Sequence, residues 1–227
     1  FHLILNARRV ERLEALRNTL QSEFPIEIKL LPFDVRNRTD ALEAINGLSR
    51  EWKNINILIN NAGLAVGRDF FQDGIIDDWE QMIDTNIKGL LYVTKATVPY
   101  MISNGGGHII NIGSLAGHEV YPMGNVYCAT KYAVKALSKG MRMDLLQHKV
   151  KVTNISPGMA ETEFSLVRFK GDAEKANNVY KGFEPLTAND VAEIIYFAAT
   201  RPPHVNIEEI TILPTAQSDS RTVIRDQ

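Results

Sequence analysis

The chain has 227 residues, 44% of them hydrophobic, and its charges nearly balance to a formal net charge of −2. This length and apolar content suffice to bury a substantial core as one domain. The small negative charge argues against nucleic acid or an anionic membrane as a partner, and no apolar run reaches the length of a membrane span. The single cysteine, Cys128, permits no intrachain disulfide, so we expect a cytoplasmic protein.

Metal binding is not expected either, because the 5 histidines and the one cysteine lack the spacing of a metal site. Apolar runs alternate instead with longer amphipathic segments, without internal repeats or low-complexity tracts. By the rules of burial and handedness, this alternation predicts an α/β fold. We expect a doubly wound parallel sheet with helices on both faces, in three layers, as a single domain over residues 1–227.

The first apolar run, at residues 1–5, predicts a buried strand, and an amphipathic helix follows the segment Asn-Ala-Arg-Arg at residues 6–9. At such a strand end, dinucleotide-binding folds use an acidic residue for NAD and arginine for the 2′-phosphate of NADP. Two arginines without a carboxylate favour the phosphate. Spacing alone leaves open a second interpretation, in which Arg8 and Arg9 only solvate the strand end.

Two further strands are predicted before residue 64. Residues 26–35 end in Asp34 and Val35, and Asp34 could serve as the N-cap of the helix that follows. Residues 55–59 run into an Asn-Asn-Ala-Gly turn at residues 60–63. Small residues there let the backbone approach a flat ligand closely, although a plain turn is the alternative.

A long helix is predicted from about Asp77 to Tyr100, and the polar Asn86 interrupts its apolar face. Asn86 is therefore either a functional residue or a structural amide that satisfies buried backbone groups.

The chemistry centres on residues 108–131. The apolar run at residues 108–112 predicts a strand that ends beside Ser114, and a helix is predicted from Tyr127 onward. Residues four apart share a helix face, so Tyr127 and Lys131 should point the same way. A nearby ammonium favours a phenolate and lowers its pKa, which would let Tyr127 exchange a proton with a carbonyl or alcohol oxygen. Ser114 would hydrogen-bond the same oxygen.

The last third of the chain supplies a strand at residues 150–155 and a turn that contains Pro157 and Gly158. Residues 163–185 are polar and irregular. Arg168 and Lys170 are the cations available there for a substrate carboxylate, or they belong to a solvated charged loop. A helix capped at Thr187 and a final strand complete the predicted elements.

These motifs occur in the order, and with the spacing, of the short-chain dehydrogenase/reductase family, which the sequence resembles over essentially its whole length. The resemblance implies a Rossmann-type fold and an oxidoreductase that interconverts an alcohol and a carbonyl. Family members carry a strand, a glycine-rich turn and a helix before the point that corresponds to residue 1, so we expect an N-terminally incomplete chain. The catalytic residues implied by the resemblance are Asn86, Ser114, Tyr127 and Lys131.

The same resemblance implies roles at two binding sites. Residues 163–185 would form a mobile flap over the substrate. The substrate would contact Ser114, Tyr127 and Arg168. Asp34 would face the adenine, and the turn after Pro157 would hold the nicotinamide. The cofactor NADP would contact Arg8, Arg9, Asp34, Val35, Asn61, Ala62, Gly63, Tyr127, Lys131, Pro157, Gly158, Met159 and Thr162.

Three stretches, at residues 8–9, 116–127 and 162–172, narrow the resemblance to NADP-dependent 3-hydroxy acid dehydrogenases. This group implies a small hydroxy acid such as serine, allo-threonine or 3-hydroxypropionate, or the corresponding carbonyl, as substrate. It also implies a homotetramer or homodimer that associates through the two long helices. The alternatives are another short-chain reductase, for a ketone, acyl or sugar substrate, and a non-catalytic dinucleotide-sensing module.

Overall fold

The computed structural model describes residues 1–226 and contains two parallel sheets. The first pairs β1 (Leu3–Leu5) with β2 (Ile28–Leu30). The second has four strands in sequence order: β3 (Ile57–Asn60), β4 (Gly107–Ile112), β5 (Val150–Pro157) and β6 (Glu209–Ile212). Because every pairing is parallel, the carboxyl ends of β3, β4 and β5 meet at one edge of the sheet.

The strands are separated by helices, as a parallel sheet requires. A π-helical turn, Asp84–Gly89, joins the third helix to the fourth. The α-helices are α1 (Val10–Glu23), α2 (Arg38–Asn46), α3 (Ile76–Ile83), α4 (Leu90–Ser103), α5 (Asn125–Asp144), α6 (Glu163–Arg168), α7 (Ala173–Asn178) and α8 (Ala188–Ala199).

The central strand β4 shows why the protein has three layers. Successive side chains of a strand point to opposite faces, and here both faces are covered. Ile109 packs with Met101 of α4 on one face, whereas Ile110 packs with Ala198 of α8 on the other. Burying each isoleucine contributes roughly 1.5–3 kcal/mol. The predicted α/β class, with its parallel sheet and helices on both faces, is confirmed.

Buried amides connect the carboxyl ends of the strands. Asn60 and Asn111 are directly paired in the β3–β4 register, and the Asn60 Nδ2 atom donates to Asn111 Oδ1 at 2.8 Å and to Thr94 Oγ1 of α4 at 2.9 Å. The Asn111 Nδ2 atom donates in turn to Ser138 Oγ of α5 at 2.9 Å. This ladder fixes α4 and α5 relative to the sheet edge.

Several element boundaries differ from those that the sequence predicted. The strand expected at residues 26–35 is hydrogen-bonded only over Ile28–Leu30, and the following helix is capped by Asn37 rather than by Asp34. The Asn37 side chain accepts from the backbone N–H groups of Thr39 and Asp40, whereas Asp34 turns toward Arg36. Asn37 therefore caps the helix, while the neighbouring Asp34 is bonded to Arg36 instead.

The two other differences concern helices. The predicted long helix from Asp77 is interrupted at its centre by the π-helical turn, which contains Asn86. Residues 163–185, expected to be irregular, include α6 and α7, whose N-caps are Thr162 and Asp172. No helix within residues 1–226 is long and apolar enough to cross a membrane.

Replacing Asn111 with Ala should lower the free energy of unfolding by about 2–4 kcal/mol, because it leaves two buried polar groups without their partner. Urea denaturation followed by circular dichroism measures this change. The control is Asn18→Ala, which alters an exposed residue of α1 and should change stability by less than about 1 kcal/mol. Equal stabilities of the two variants would contradict the role assigned to the amide ladder.

Candidate active site

The site lies where β4 ends. Ser114 follows the strand, and its Oγ atom accepts a hydrogen bond from the Ala116 N–H at 3.1 Å, which opens a short 3₁₀ turn. The preceding Gly113 is required by close packing, since a methyl group there would lie 2.6 Å from Oδ1 of Asn154. The strand end therefore holds Ser114 in a fixed position.

The first turns of α5 bring Tyr127 and Lys131 to the same place. Their spacing of four residues puts both on one helix face, and both are buried. The Lys131 ammonium lies 5.9 Å from the centre of the Tyr127 ring and donates to the Ile112 carbonyl at 2.9 Å. The Ser114 hydroxyl lies close enough to influence the Tyr127 phenol. The structure thus brings the three residues together.

The electrostatics of this group differ from our expectation. Burial raises the pKa of Tyr127 above its usual value near 10, and the adjacent Tyr121 raises it further, while Ser114 and Arg168 oppose the shift. We expected the Lys131 ammonium to lower the Tyr127 pKa. The effect of burial is larger, however, and the net shift of the Tyr127 pKa is upward. Burial also lowers the pKa of Lys131 from about 10.5 to about 8. Desolvation therefore disfavours the charged form of both groups.

Asn86 lies in the π-helical turn with only 2% of its surface exposed. Its Oδ1 atom accepts from the Leu64 N–H at 2.8 Å, and its Nδ2 atom donates to the Leu64 carbonyl at 2.8 Å and to Thr130 Oγ1 at 3.0 Å. The structural interpretation of this amide accounts for all these bonds. π-Helical turns occur frequently at functional sites. Here the turn directs the Asn86 side chain toward the site instead of along a regular helix face.

Arg168 ends α6 beside the Tyr127 ring. Its guanidinium carbon lies 5.6 Å from the centre of the Tyr127 ring, and its Nη1 atom donates to the Tyr121 hydroxyl at 3.0 Å. The Gly67 N–H donates to the Arg168 carbonyl at 3.0 Å, which holds the backbone of this corner against the body of the protein. The Arg168 Nε atom is buried and has no hydrogen-bond partner among the described residues. An unused donor thus lies near the Tyr127 ring.

A narrow cavity adjoins these groups. Its empty volume is about 290 Å³ with its open mouth included, but only about 10 Å³ is open to the centre of a water molecule. A three-carbon substrate therefore needs some displacement of the wall that α6 provides. The lining includes Gly67, Asp69, Asp78, Trp79, Tyr127 and Arg168.

The Asn-Asn-Ala-Gly turn after β3 lies against the same group. A methyl group on Gly63 would lie 3.5 Å from the Lys131 ammonium and 3.3 Å from Oδ1 of Asn86. Asn61, Ala62 and Gly63 are exposed at the sheet edge. The turn offers the small, accessible surface that a flat cofactor ring needs next to Lys131.

The residues predicted to bind the adenosine end lie at the ends of β1 and β2. Arg8 keeps 61% of its side chain exposed and lies 3.9 Å from the Asp34 carboxylate. A closer pair joins Asp34 to Arg36 at 2.6 Å, and this bond holds the Asp34 pKa below its usual value. Arg9 contacts Glu163 of α6 at 3.4 Å. Arg8 is thus the more available cation for a phosphate.

Arg12 and Val35 are two further residues at the adenosine end of the site. Arg12 forms the stronger contact with Glu163, at 2.8 Å, and the sequence analysis did not single it out. The Val35 side chain packs in the core, where a methyl group on Gly89 would approach it to 2.8 Å. A contact between Val35 and a cofactor would therefore involve its backbone.

The turn after β5 is extensively bonded within the protein. The Gly158 N–H donates to the Ile212 carbonyl at 2.8 Å, and the Met159 N–H donates to Oε1 of Gln217 at 2.9 Å. These two donors are thus already used. Pro157 still belongs to β5, and Thr162 uses its hydroxyl to cap α6 through the Phe164 N–H at 3.2 Å. Two carbonyl groups of the turn are used as well, since Met159 accepts from the Leu186 N–H at 3.0 Å and Ala160 accepts from the Tyr180 hydroxyl at 2.8 Å.

Sequence reasoning missed four residues of the site. Phe164 packs on the Tyr127 ring with 5.6 Å between ring centres, and Tyr121 orients Arg168. Asp69 and Asp78 line the cavity. None of these residues stands at a spacing that marks it, so only their position in space reveals them. Within residues 1–226, no group of three or more His, Cys, Asp or Glu side chains is arranged to hold a metal ion.

Comparisons with known proteins identify the class. A family model described as short chain dehydrogenase matches residues 1–172. The NADP-dependent 3-hydroxy acid dehydrogenase of Salmonella typhi is 46% identical over 217 residues, which cover 95% of this chain and 86% of that protein. A sulfoacetaldehyde reductase of Chromohalobacter salexigens is 44% identical over 98% of this chain and 87% of its own length. The chain belongs to the short-chain dehydrogenase family, as its motifs predicted.

A solved structure adds the similarity of the fold. The closed form of a serine dehydrogenase complexed with NADP+ matches this chain with a TM-score of 0.91 and 44% sequence identity. The match covers 100% of this chain and 90% of that chain. The predicted Rossmann-type architecture is therefore confirmed.

Replacing Lys131 with Met should abolish function but raise stability by about 1–2 kcal/mol at pH 7, because a buried charge is removed at the cost of one hydrogen bond to Ile112. The Lys131 pKa is depressed to about 8, so the folded state binds fewer protons than the unfolded state between pH 8 and 10.5. The free-energy cost of burying the charged ammonium is fully present below pH 8, and it is lost as the pH rises from 8 to 10.5.

Urea denaturation of both proteins at pH 7 and pH 9.5 provides the measurement. The stability advantage of the Lys131→Met protein should shrink by about 2 kcal/mol at the higher pH. Lys139→Met, on the same helix but exposed, should show no such pH dependence. An advantage that stays constant between the two pH values would show that burial does not depress this pKa.

Proposed function

We propose that the protein is an NADP-dependent oxidoreductase that interconverts an alcohol and a carbonyl on a small 3-hydroxy acid such as serine, allo-threonine or 3-hydroxypropionate. The observation that carries the proposal is that Ser114 and Lys131 lie beside Tyr127, whose side chain lines a cavity together with Arg168. The relatives named above, one described as a 3-hydroxy acid dehydrogenase and one as a serine dehydrogenase, support the same substrate class.

The proton steps follow from the residues present. When bound, NADP would supply the hydride acceptor or donor for the carbon that bears the substrate oxygen. During oxidation, Tyr127 removes the hydroxyl proton, and Ser114 donates a hydrogen bond that keeps the oxygen in place. Burial makes the phenol reluctant to ionise, so the Lys131 charge and the Ser114 and Arg168 donors must compensate within the closed site.

Lys131 has a second role in this proposal. Its pKa of about 8 lies close to neutral pH, so it can exchange a proton with solvent as Tyr127 gains or loses one. The Asn86 amide would help to order a water on this route, in addition to the Leu64 contacts that it makes.

The proposed cofactor site runs along the carboxyl edge of the sheets. Arg8 and Arg9 would bind the 2′-phosphate, and Asp34 would face the adenine. The 60–63 turn would flank the ribose beside Lys131, where the lack of a Gly63 side chain leaves room. Backbone groups of the turn that contains Pro157 and Gly158 would meet the carboxamide.

The proposal extends to the molecule as a whole. We infer one catalytic domain in which residues 163–185 are a flap that moves to admit substrate, since the cavity is too narrow for a three-carbon acid as it stands. A cytoplasmic homotetramer or homodimer is consistent with the free, buried Cys128 and with exposed apolar residues on the long helices. These residues include Leu91 on α4 and Tyr132 and Met143 on α5.

One assay distinguishes this proposal from the two alternatives, which are another short-chain reductase and a non-catalytic dinucleotide sensor. A substrate panel of serine, 3-hydroxypropionate, 3-hydroxyisobutyrate, sulfoacetaldehyde and neutral ketones, with NADP(H) absorbance as the readout, distinguishes a hydroxy acid enzyme from another reductase. A dinucleotide sensor would bind NADP and turn over none of these compounds. The proton-transfer residues argue against the sensor, because binding alone does not require them.

Tyr127→Phe should lower kcat by at least about 10³-fold while leaving the Kd for NADP within about threefold, because it removes only the hydroxyl that exchanges the proton. The ring contacts with Phe164 and Arg168 are preserved, so the fold should be unaffected. Steady-state kinetics and fluorescence titration with NADPH measure the two quantities. Tyr196→Phe, on the exposed face of α8, serves as the control. Retained turnover in Tyr127→Phe would refute the proposed mechanism.

Arg168→Leu should raise the KM for 3-hydroxypropionate by about 10–100-fold, since a charge-assisted hydrogen bond contributes roughly 1.5–3 kcal/mol. The KM for a neutral alcohol of similar size should stay within about threefold, because such a substrate has no carboxylate for the guanidinium. Arg50→Leu, which changes an exposed arginine outside the site, is the matched control. Equal losses on the acid and on the neutral alcohol would assign Arg168 to packing instead.

A further inference from the structure

A second polar cluster adjoins the turn that contains Ser114. His118 follows the short 3₁₀ turn that Ser114 caps, and only 22% of its side chain is exposed. Its Nε2 atom lies 2.9 Å from Oε1 of Glu209 on β6 and 3.1 Å from Oγ of Ser156 on β5, and its Nδ1 atom lies 2.7 Å from the ammonium of Lys135 on α5. The imidazole thus joins three elements at the end of this turn.

The contacts of the two ring nitrogens define the tautomer of His118. An ammonium group only donates hydrogen bonds, so Nδ1 accepts from Lys135 and the ring proton lies on Nε2, where it is donated to the Glu209 carboxylate. The charged atoms of Lys135 and Glu209 are 3.5 Å apart. A neutral imidazole therefore bridges a cation and an anion, and both of its nitrogens have a partner.

The same cluster contacts the backbone just before Ser114. The Asn154 Nδ2 atom donates to Oγ of Ser156 at 3.0 Å and to Oε1 of Glu209 at 2.8 Å, which fixes both oxygens. A methyl group on Gly113 would lie 3.0 Å from that Ser156 oxygen. The cluster thus packs directly against the residue that precedes the serine.

The other end of the turn is held by His118 itself. Its N–H donates to the Leu115 carbonyl at 2.9 Å, and its carbonyl accepts from the Tyr132 hydroxyl. The ring contacts described above then tie this end to α5 and β6. The backbone from Gly113 to His118 is therefore held at both ends, with Ser114 between them.

The cluster is not a second centre for nucleophilic chemistry. Ser156 is fully buried, so its hydroxyl is out of reach of a substrate. An activating relay needs the serine on one ring nitrogen and a carboxylate on the other, whereas here Ser156 and Glu209 both face Nε2 and a cation faces Nδ1. The arrangement instead suits the orientation of a backbone segment.

We propose that His118 is a positioning residue for Ser114. By bridging Lys135 and Glu209, it fixes the turn from which the serine hydroxyl donates to the substrate oxygen. The proposal rests on the function proposed above, and it assigns His118 an action through Ser114 instead of on the substrate itself. A donor stabilises a reacting oxygen only when it is held in place, and a displacement of about 1 Å can cost roughly 10²-fold in rate.

The test measures kcat with the hydroxy acid that the wild-type protein oxidises fastest. His118→Leu should lower kcat by about tenfold, because leucine fills a similar space but makes neither hydrogen bond. His118→Gln keeps a donor and an acceptor on one side chain and should retain kcat within about threefold of the wild-type value. In both variants the Kd for NADPH should stay within about twofold. His204→Leu, which changes an exposed histidine outside the cluster, should leave kcat unchanged.

A double-mutant cycle with Ser114→Ala separates positioning from general support of the fold. If His118 acts through Ser114, adding His118→Leu to Ser114→Ala should change kcat by less than about twofold, whereas independent effects would multiply to a further loss of about tenfold. If circular dichroism shows that His118→Leu does not fold, Lys135→Met takes its place in the cycle. That variant removes only the partner of Nδ1 and should by itself lower kcat by about fivefold.

Each outcome leads to a distinct conclusion. Losses that multiply in the cycle, or a His118→Gln protein as impaired as His118→Leu, would refute the positioning role while the proposed function stands. A wild-type kcat in His118→Leu would refute it equally. If the wild-type protein turns over no compound of the substrate panel with NADP, the proposed function is refuted, and this proposal fails with it.

Discussion

The structure depends on the burial of a lysine ammonium next to a tyrosine phenol. Lys131 is held by the Ile112 carbonyl and lies 5.9 Å from the centre of the Tyr127 ring, and burial shifts both groups toward their neutral forms. Such a pair costs free energy, which the surrounding apolar core must supply. For Lys131, burial brings the charged and neutral forms closer in energy near neutral pH, which favours proton exchange at a cost in stability.

The fold provides this environment through its sheet edge. Parallel strands bring their carboxyl ends to one line, so Ser114 after β4 and the glycine-containing turn after β3 lie within contact distance of the first turns of α5. The amide ladder from Asn60 through Asn111 locks these elements together. A buried polar network is favourable only when every polar group in it has a hydrogen-bond partner. The ladder meets this condition because it ends at Thr94 of α4 on one side and at Ser138 of α5 on the other.

The substrate side is built differently. The end of α6 forms part of the cavity wall, and it is held by a backbone hydrogen bond to Gly67, by the Arg168–Tyr121 contact and, just beyond the helix, by the ion pair of Lys170 with Asp78 of α3. These few polar contacts can be broken and remade at a lower cost than the central core, so this wall is the natural part of the protein to move. With the function proposed above, substrate specificity would reside on short elements supported by a rigid scaffold.

The sequence by itself determined the class of fold and the placement of Tyr127 beside Lys131. Alternating apolar runs and helices predict a parallel sheet, and a spacing of four residues places Tyr127 and Lys131 on one helix face, because both patterns are set by local backbone geometry. Only the tertiary structure decided that Asn37 rather than Asp34 caps α2, that a π-helical turn presents Asn86, and that Asp69 faces the same cavity as Arg168. These features depend on contacts between residues far apart in the chain, and on competition among neighbouring polar groups, which no local pattern encodes.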